Sequence, residues 1–222
     1  MEVFSFMRIS KNPEDRKTEI LDAAEMLFTT KGYSATTVND ILSKVGIAKG
    51  TFYYYFQSKE EVMDAIVMRF IDKEVEAAKA VAADPNLKAP EKLFQIIVGQ
   101  RADDGQKGQM IEELHQVNNA EMHQKSLVET ILQLTPVLTE VIEQGIKEGV
   151  FKTPFPKETV EFLLASSQFL LDEGIFQWEH QEIMQKATAL THIIETTLGA
   201  EKGSFAYILG MYDNEKERKP NE

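Results

Sequence analysis

T-T-V-N-D-I-L-S-K-V-G-I-A-K-G-T-F-Y-Y-Y-F-Q-S-K, residues Thr36–Lys59, is the stretch whose reading decides the fold. Ile41, Leu42 and Val45 recur at helical spacing on one face. Gly46 then breaks the pattern, as a residue free to take left-handed backbone angles does at a helix end. Ile47 is an apolar plug after the turn. Lys49–Phe56 makes a second helix, with Phe52 and Phe56 four residues apart on one buried side. Thr37 and Asp40 match the capping box in its acidic form, and Ser58 and Glu61 repeat it for a third helix. Two short helices around a Gly-containing turn predict a helix-turn-helix, whose second helix lies in the major groove of DNA.

The second helix is an odd composition for a core element. Lys49, Gly50, Thr51, Tyr53 and Tyr54 occupy the sides that Phe52 and Phe56 leave free. They offer a charge, a backbone open to close approach, a hydroxyl and two phenols. Such groups reach phosphates and base edges, and aromatic rings or a Thr methyl can touch thymine methyls. Tyr55 reads instead as the rim of a core. Ala48 precedes this helix and offers no side-chain cap, a loss of about 0.5–2 kcal/mol in other helices.

Thr37–Ile41 (T-V-x-x-I), Gly46–Phe56 (G-I-A-K-G-T-F-Y-Y-Y-F), Ser58–Val62 (S-K-E-E-V) and, upstream, Ile20–Tyr33 (I-L-D-A-A-E-M-L-F-T-T-K-G-Y) together resemble the DNA-binding domain of the tetracycline-repressor (TetR) family of bacterial regulators. The resemblance covers about the first quarter of the chain. It implies DNA contacts from Thr37, Asn39, Lys49, Gly50, Thr51, Tyr53, Tyr54 and Lys59. Ala48 departs from the family, where Ser is common. The resemblance further implies an all-α chain with an N-terminal three-helix domain and a larger helical domain for ligand binding and dimerisation.

The chain has 222 residues and 43% hydrophobic residues, enough for one large or two ordinary packed domains. Cysteine is absent, which excludes disulfides, thiolate metal sites and Cys nucleophiles and suits a reducing cytoplasm. No signal-peptide pattern and no membrane-spanning apolar run is present, so a cytoplasmic protein without membrane contact is expected. A net charge of −12 argues against a general nucleic-acid binder. Residues 1–60 nevertheless balance eight basic against eight acidic side chains, and within Lys31–Lys59 four Lys face Asp40 alone. A locally positive head on an acidic body fits a protein that binds DNA with one face only.

In chain order, Met1–Lys11 reads as a disordered arm. Asn12-Pro13-Glu14-Asp15 starts a helix with a cap, a Pro in the first turn and two acids at the positive end of the dipole; Lys31-Gly32 ends it. A long helix is expected from Ser58 toward Ala83. Others are expected over Ala89–Gln100, Met110–Val117 and Ala120–Lys147, the last kinked at Pro136. Arg101–Gln109 reads as a loop. Two long apolar helices, Lys157–Gln177 and Glu179–Leu198, then a short one over Ser204–Tyr212, complete the series. The domains are placed at 12–57 and 58–212, with a disordered tail at 213–222. An apolar αα-hairpin near a chain end completes a core or pairs with a copy of itself. In the resembling family it forms a four-helix dimer interface, so a homodimer through 157–198 is expected.

An enzyme or metal protein is the rival class. Glu112 and His115 form Glu-x-x-His, half of a di-iron carboxylate site, but no second such pair exists. No Gly-rich phosphate loop, nucleophile elbow or zinc spacing is present. No catalytic residue, metal or cofactor is therefore assigned. In the family the larger domain binds a small molecule between its helices. Phe70, Phe94, Arg101, Glu113, His115 and Trp178 are of the types such a site uses. The reading is a transcriptional regulator, foremost a repressor, that binds a palindromic operator in double-stranded DNA as a dimer and leaves it on binding a small-molecule effector of unread identity. A constitutive regulator without a ligand is the remaining alternative.

Overall fold

The computed structural model describes residues 12–101, 120–172 and 174–213. These form nine α-helices and no strand among the described residues. The chain divides into two compact units, residues 1–68 and 69–222. The expected helix Met110–Val117 and the loop before it fall outside the described residues, apart from the backbone of Arg101.

In the first unit, α1 (Pro13–Lys31) begins at Asn12, whose side chain accepts from the Glu14 N–H, and ends at Gly32. Ile20, Ala24 and Phe28 bury its inner face. α2 (Val38–Val45) packs on α1 and hands the chain through Gly46 to α3 (Lys49–Tyr55). Gly46 has φ 73°, and its N–H and that of Ile47 both return to the Leu42 carbonyl, at 2.9 and 3.1 Å. That αL turn is open to a side chain only at a steric cost, which is why glycine stands there. Ile41, Phe52, Phe56, Val62, Met63 and Ile66 close the small core.

α4 (Lys59–Ala82) is one helix whose residues are shared between the two units. In the second unit, α5 (Ala89–Arg101) lies on α6 (Ala120–Glu148). A buried cation ties them: Lys92 Nζ donates to the carbonyl of Ala82, the last residue of α4, at 2.5 Å, and to Gln144 Oε1 at 2.8 Å. Gln144 Nε2 donates to the Leu87 carbonyl and to Glu148, and Glu148 accepts the Ala89 N–H. These bonds, that from Gln144 first, hold the Glu148 carboxyl below its ordinary range. A Lys at a helix C-terminus also meets the favourable end of the dipole. α6 runs through Pro136 without ending.

The hairpin departs from expectation. α7 (Pro156–Leu170) ends seven residues before Gln177, and α8 (His180–Leu198) follows a loop. Asp172 stops α7, because its Oδ1 accepts the N–H groups of Gly174 and Ile175, at 2.8 and 3.1 Å. Its Oδ2 lies 2.9 Å from His123 Nε2 on α6, and both side chains are largely buried. Trp178 Nε1 donates back to the Leu170 carbonyl. The apolar residues on and before α7 are not all inward either: Phe155, Phe162 and Phe169 are exposed, Phe162 by 77%. α9 (Tyr207–Asp213) packs on α8, and Glu195 of α8 accepts the N–H groups of Gly203 and Phe205 before it.

Candidate nucleic-acid interface

α3 is built from its two phenylalanines outward. Phe52 and Phe56 are 0% and 2% exposed, so the remaining sides of the helix face away from the core. Lys49, Gly50, Tyr53 and Tyr54 are exposed and Thr51 is half-buried. Lys49 and Tyr53, one turn apart, stand together with Nζ 5.7 Å from the ring centroid. Tyr54 is 76% exposed and meets Tyr55 edge-on at 4.9 Å. Ala48 makes no side-chain cap.

Gly50 is the informative residue. Its φ is not positive, and a Cβ built on it meets nothing within 4 Å. The fold therefore has no need of glycine at this point. Glycine costs a helix up to about 1 kcal/mol relative to Ala, and nothing inside the molecule offsets that cost.

On α2, Thr37 has its hydroxyl committed. Oγ1 accepts the Asp40 N–H at 3.2 Å and donates to Asp40 Oδ2 at 2.7 Å, while the Thr37 N–H reaches the same carboxylate at 2.8 Å. Lys31 Nζ also lies 2.7 Å from Asp40 Oδ2. Lys31 first, then Thr37, holds the Asp40 carboxyl far below the usual carboxylate range. With its one proton inside this box, the Thr37 hydroxyl has none to offer a phosphate. Asn39 is exposed in the first turn, with its side chain uncommitted among the described residues. Lys59 does not project freely: its ammonium donates to the Tyr33 and Thr36 carbonyls, at 2.8 and 3.0 Å. The sequence held no signal for that contact, which joins residues 26 apart.

Of the residues named for a ligand, Phe70, Phe94 and Trp178 lie among the described residues. Phe94 lies edge-on to Tyr207, with centroids 4.9 Å apart. Trp178 stacks on Phe176 at 5.0 Å, with Lys186 Nζ 3.6 Å from its ring centroid. Phe70 is half-buried on α4. The side chain of Arg101, together with Glu112, Glu113 and His115, lies outside the described residues. No group of three or more His, Cys, Asp or Glu suited to a metal occurs among the described residues.

Comparison with known proteins agrees with this fold. Residues 20–66 match the bacterial regulatory proteins of the tetR family, and residues 104–193 match the tetracyclin repressor-like C-terminal domain. The chain is 33% identical over 175 residues to the uncharacterized HTH-type transcriptional regulator YhgD of Bacillus subtilis strain 168, covering 75% of this chain and 86% of that protein. A shorter match, 47% over 57 residues, covers 26% of this chain and 28% of the HTH-type transcriptional repressor KstR2 of Rhodococcus jostii strain RHA1. Among solved structures, SmeT, the repressor of the Stenotrophomonas maltophilia multidrug efflux pump SmeDEF, aligns with TM-score 0.58 at 21% identity, over 85% of this chain and 92% of SmeT. A complex of SmeT with triclosan aligns equally well, TM-score 0.58 at 19% identity, over 86% and 94% of the two chains. The chain belongs to the TetR family of helix-turn-helix transcriptional regulators.

Proposed function

We propose that this regulator is a cytoplasmic repressor that binds a near-palindromic operator as a homodimer and releases it on binding a small, largely apolar molecule. The observation that carries the DNA-binding surface is α3, with both phenylalanines buried, its Lys and Tyr side chains outward, and a glycine the fold does not require. Lys49, Gly50, Thr51, Tyr53 and Tyr54 are the groove contacts in this reading, with Asn39 beside them on α2. Thr37 acts through the α2 cap.

The dimer reading is supported by the exposed residues Phe155, Phe162, Ala165 and Phe169 on and before α7, together with exposed Ala189 and Ile193 on α8. A two-fold pairing through these residues covers them with their own copies and presents two identical α3 helices, so half-sites about 34 Å apart, or a multiple, are expected. The effector reading is supported by the solved complex of SmeT with triclosan. α4 is shared by both units, so a ligand that displaces it in the second acts on its first turn in the first. Linkage then requires operator DNA to weaken the ligand by the same factor, typically about 5–150-fold.

The test is a footprint on the DNA flanking the protein's own coding region. Two symmetric protected half-sites are expected. Absence of any protected site there and in a genome-wide pull-down would reject the reading.

A further inference from the structure

We propose that Gln57 is a positioning residue of the DNA-reading surface: it brackets the end of α3 to the start of α4 and so fixes Tyr53 and Tyr54 before DNA arrives. The inference rests on the DNA-binding reading and adds to it a residue that acts inside the protein. The chain leaves α3 at Phe56 with extended angles, φ −140° and ψ 134°. The Phe56 N–H still donates to the Phe52 carbonyl, at 2.9 Å. In a longer helix the next bond would run from the Gln57 N–H to the Tyr53 carbonyl. Gln57 makes that bond with its side chain instead, Nε2 donating to the Tyr53 carbonyl at 3.2 Å.

The backbone N–H released in this way has a partner of its own. It donates to Glu61 Oε2 at 2.5 Å. Glu61 lies in the first turn of α4, where its N–H donates to Ser58 Oγ at 3.1 Å. One residue therefore holds the last turn of α3 with its side chain and the first turn of α4 with its backbone. The carbonyl it takes belongs to Tyr53, a groove contact in the reading above.

This short helix gains from such a hold. α3 has seven residues, and no side chain bonds to its first turn from Ala48. Burial of Phe52 and Phe56 secures one side of it. Tyr53 and Tyr54 stand on other sides and are exposed, so the backbone of the last turn sets their direction. Carbonyls left without partners at a helix end turn to water, and the end frays. Gln57 is itself exposed, so its bond contributes to local order far more than to global stability.

A side-chain amide has two donors and an acceptor, so direct contact with DNA through the remaining ones is the competing role. The experiment separates the two on full-length wild type, Gln57→Met and Gln57→Lys. Amide hydrogen exchange of Tyr54, Tyr55 and Phe56 is measured in the free protein, and affinity for the footprinted duplex by fluorescence anisotropy. Gln57→Met, of similar length but without a donor, is expected to melt near wild type and to exchange these amides at least ~3-fold faster. It should bind the duplex at least ~5-fold more weakly, the net worth of one hydrogen bond counted in two heads. Gln57→Lys keeps a donor for the carbonyl and should restore wild-type exchange. Its rescue is read from exchange in the free protein, because its charge adds an attraction to DNA. Weaker binding with unchanged exchange in Gln57→Met places the residue on the DNA itself and overturns the proposal. Faster exchange with wild-type affinity also overturns it, because the bond would then serve local stability alone. Wild-type behaviour in both measurements does the same. If Gln57→Met does not fold, Gln57→Ala is read by the same criteria. Failure of wild type to bind any duplex refutes the DNA-binding reading and this proposal together, whereas normal wild-type binding with any adverse Gln57 result refutes the proposal alone.

Discussion

Replacing Gly50 by Ala should push stability and DNA binding in opposite directions. The new methyl meets nothing within 4 Å, and the backbone there has no positive φ. Removing a helical glycine gains about 0.5–1 kcal/mol, which for a chain of this size raises the melting temperature by about 1–4 °C. At a groove-facing backbone the same methyl must be accommodated between protein and DNA. Overpacking of that kind costs about 1–3 kcal/mol per site, and two half-sites double it to about 2–6 kcal/mol, a loss of at least roughly 30-fold. Gly99→Ala, at an exposed position of α5, is the control: its Cβ also meets nothing within 4 Å, so it should stabilise similarly and leave DNA affinity alone. Thermal melts and fluorescence-anisotropy titrations on the footprinted duplex measure both quantities. A Gly50→Ala protein with wild-type operator affinity would refute the argument that DNA, rather than the fold, demands this glycine.

Phe162→Ala should weaken the proposed dimer. Full burial of a Phe is worth about 1.5–3 kcal/mol, Phe162 is 77% exposed in one chain, and two copies meet, so about 2–5 kcal/mol is lost per dimer, which sedimentation equilibrium measures. Leu132→Ala, equally apolar but on α6, should leave association unchanged. Gly145→Ala should destabilise by about 1–3 kcal/mol despite the better helix former, because its Cβ would clash with the Phe151 ring and fall 3.0 Å from the Ala89 Cβ; urea denaturation decides the sign. Tyr207 has a buried hydroxyl without a hydrogen-bond partner among the described residues, and burial pushes its pKa well above 10.0. Its contribution to stability is intact below the ordinary Tyr pKa and is lost as pH rises above it, since only the unfolded chain then ionises. Tyr207→Phe should abolish that alkaline loss and cost nothing at neutral pH, as pH-dependent melts of the two proteins would reveal.

The helix-turn-helix was legible because its signals are local. Gly46, the Thr37–Asp40 box and the pair Phe52 and Phe56 each act within a few residues, and each is realised as read. The end of α7 was not legible, because Asp172 stops it with side-chain bonds to the next turn and to His123, 49 residues away. Hydropathy also could not say which apolar side chains of that hairpin face inward: Phe162 and Phe169 are exposed in the single chain. Buried Lys92 gave no signal either, since its partners, the end of α4 and Gln144, are brought together only by the fold. Lys59 was assigned by its place in a family pattern, which conveys that a charge stands there but not what it grips.

The two helices of the reading head draw their order from different sources, and that division predicts how the head fails. α2 carries its own cap, a carboxylate that also binds Lys31, and a glycine stop. α3 has seven residues, no side-chain cap and no acid in its first turn, far below the length at which an isolated helix holds in water. Its order comes from burying Phe52 and Phe56. Truncating either to Ala should therefore cost about 3–5 kcal/mol and remove DNA binding, although neither ring faces the groove. Damage to α2 should follow pH instead. The depressed Asp40 carboxyl supports the fold above the unfolded Asp pKa of about 4 and loses that role as pH falls toward its folded value. Asp40→Asn should flatten the acid limb of the melting curve while Phe52→Ala lowers the curve at every pH. Parallel acid limbs in wild type and Asp40→Asn would show that the box does not govern α2.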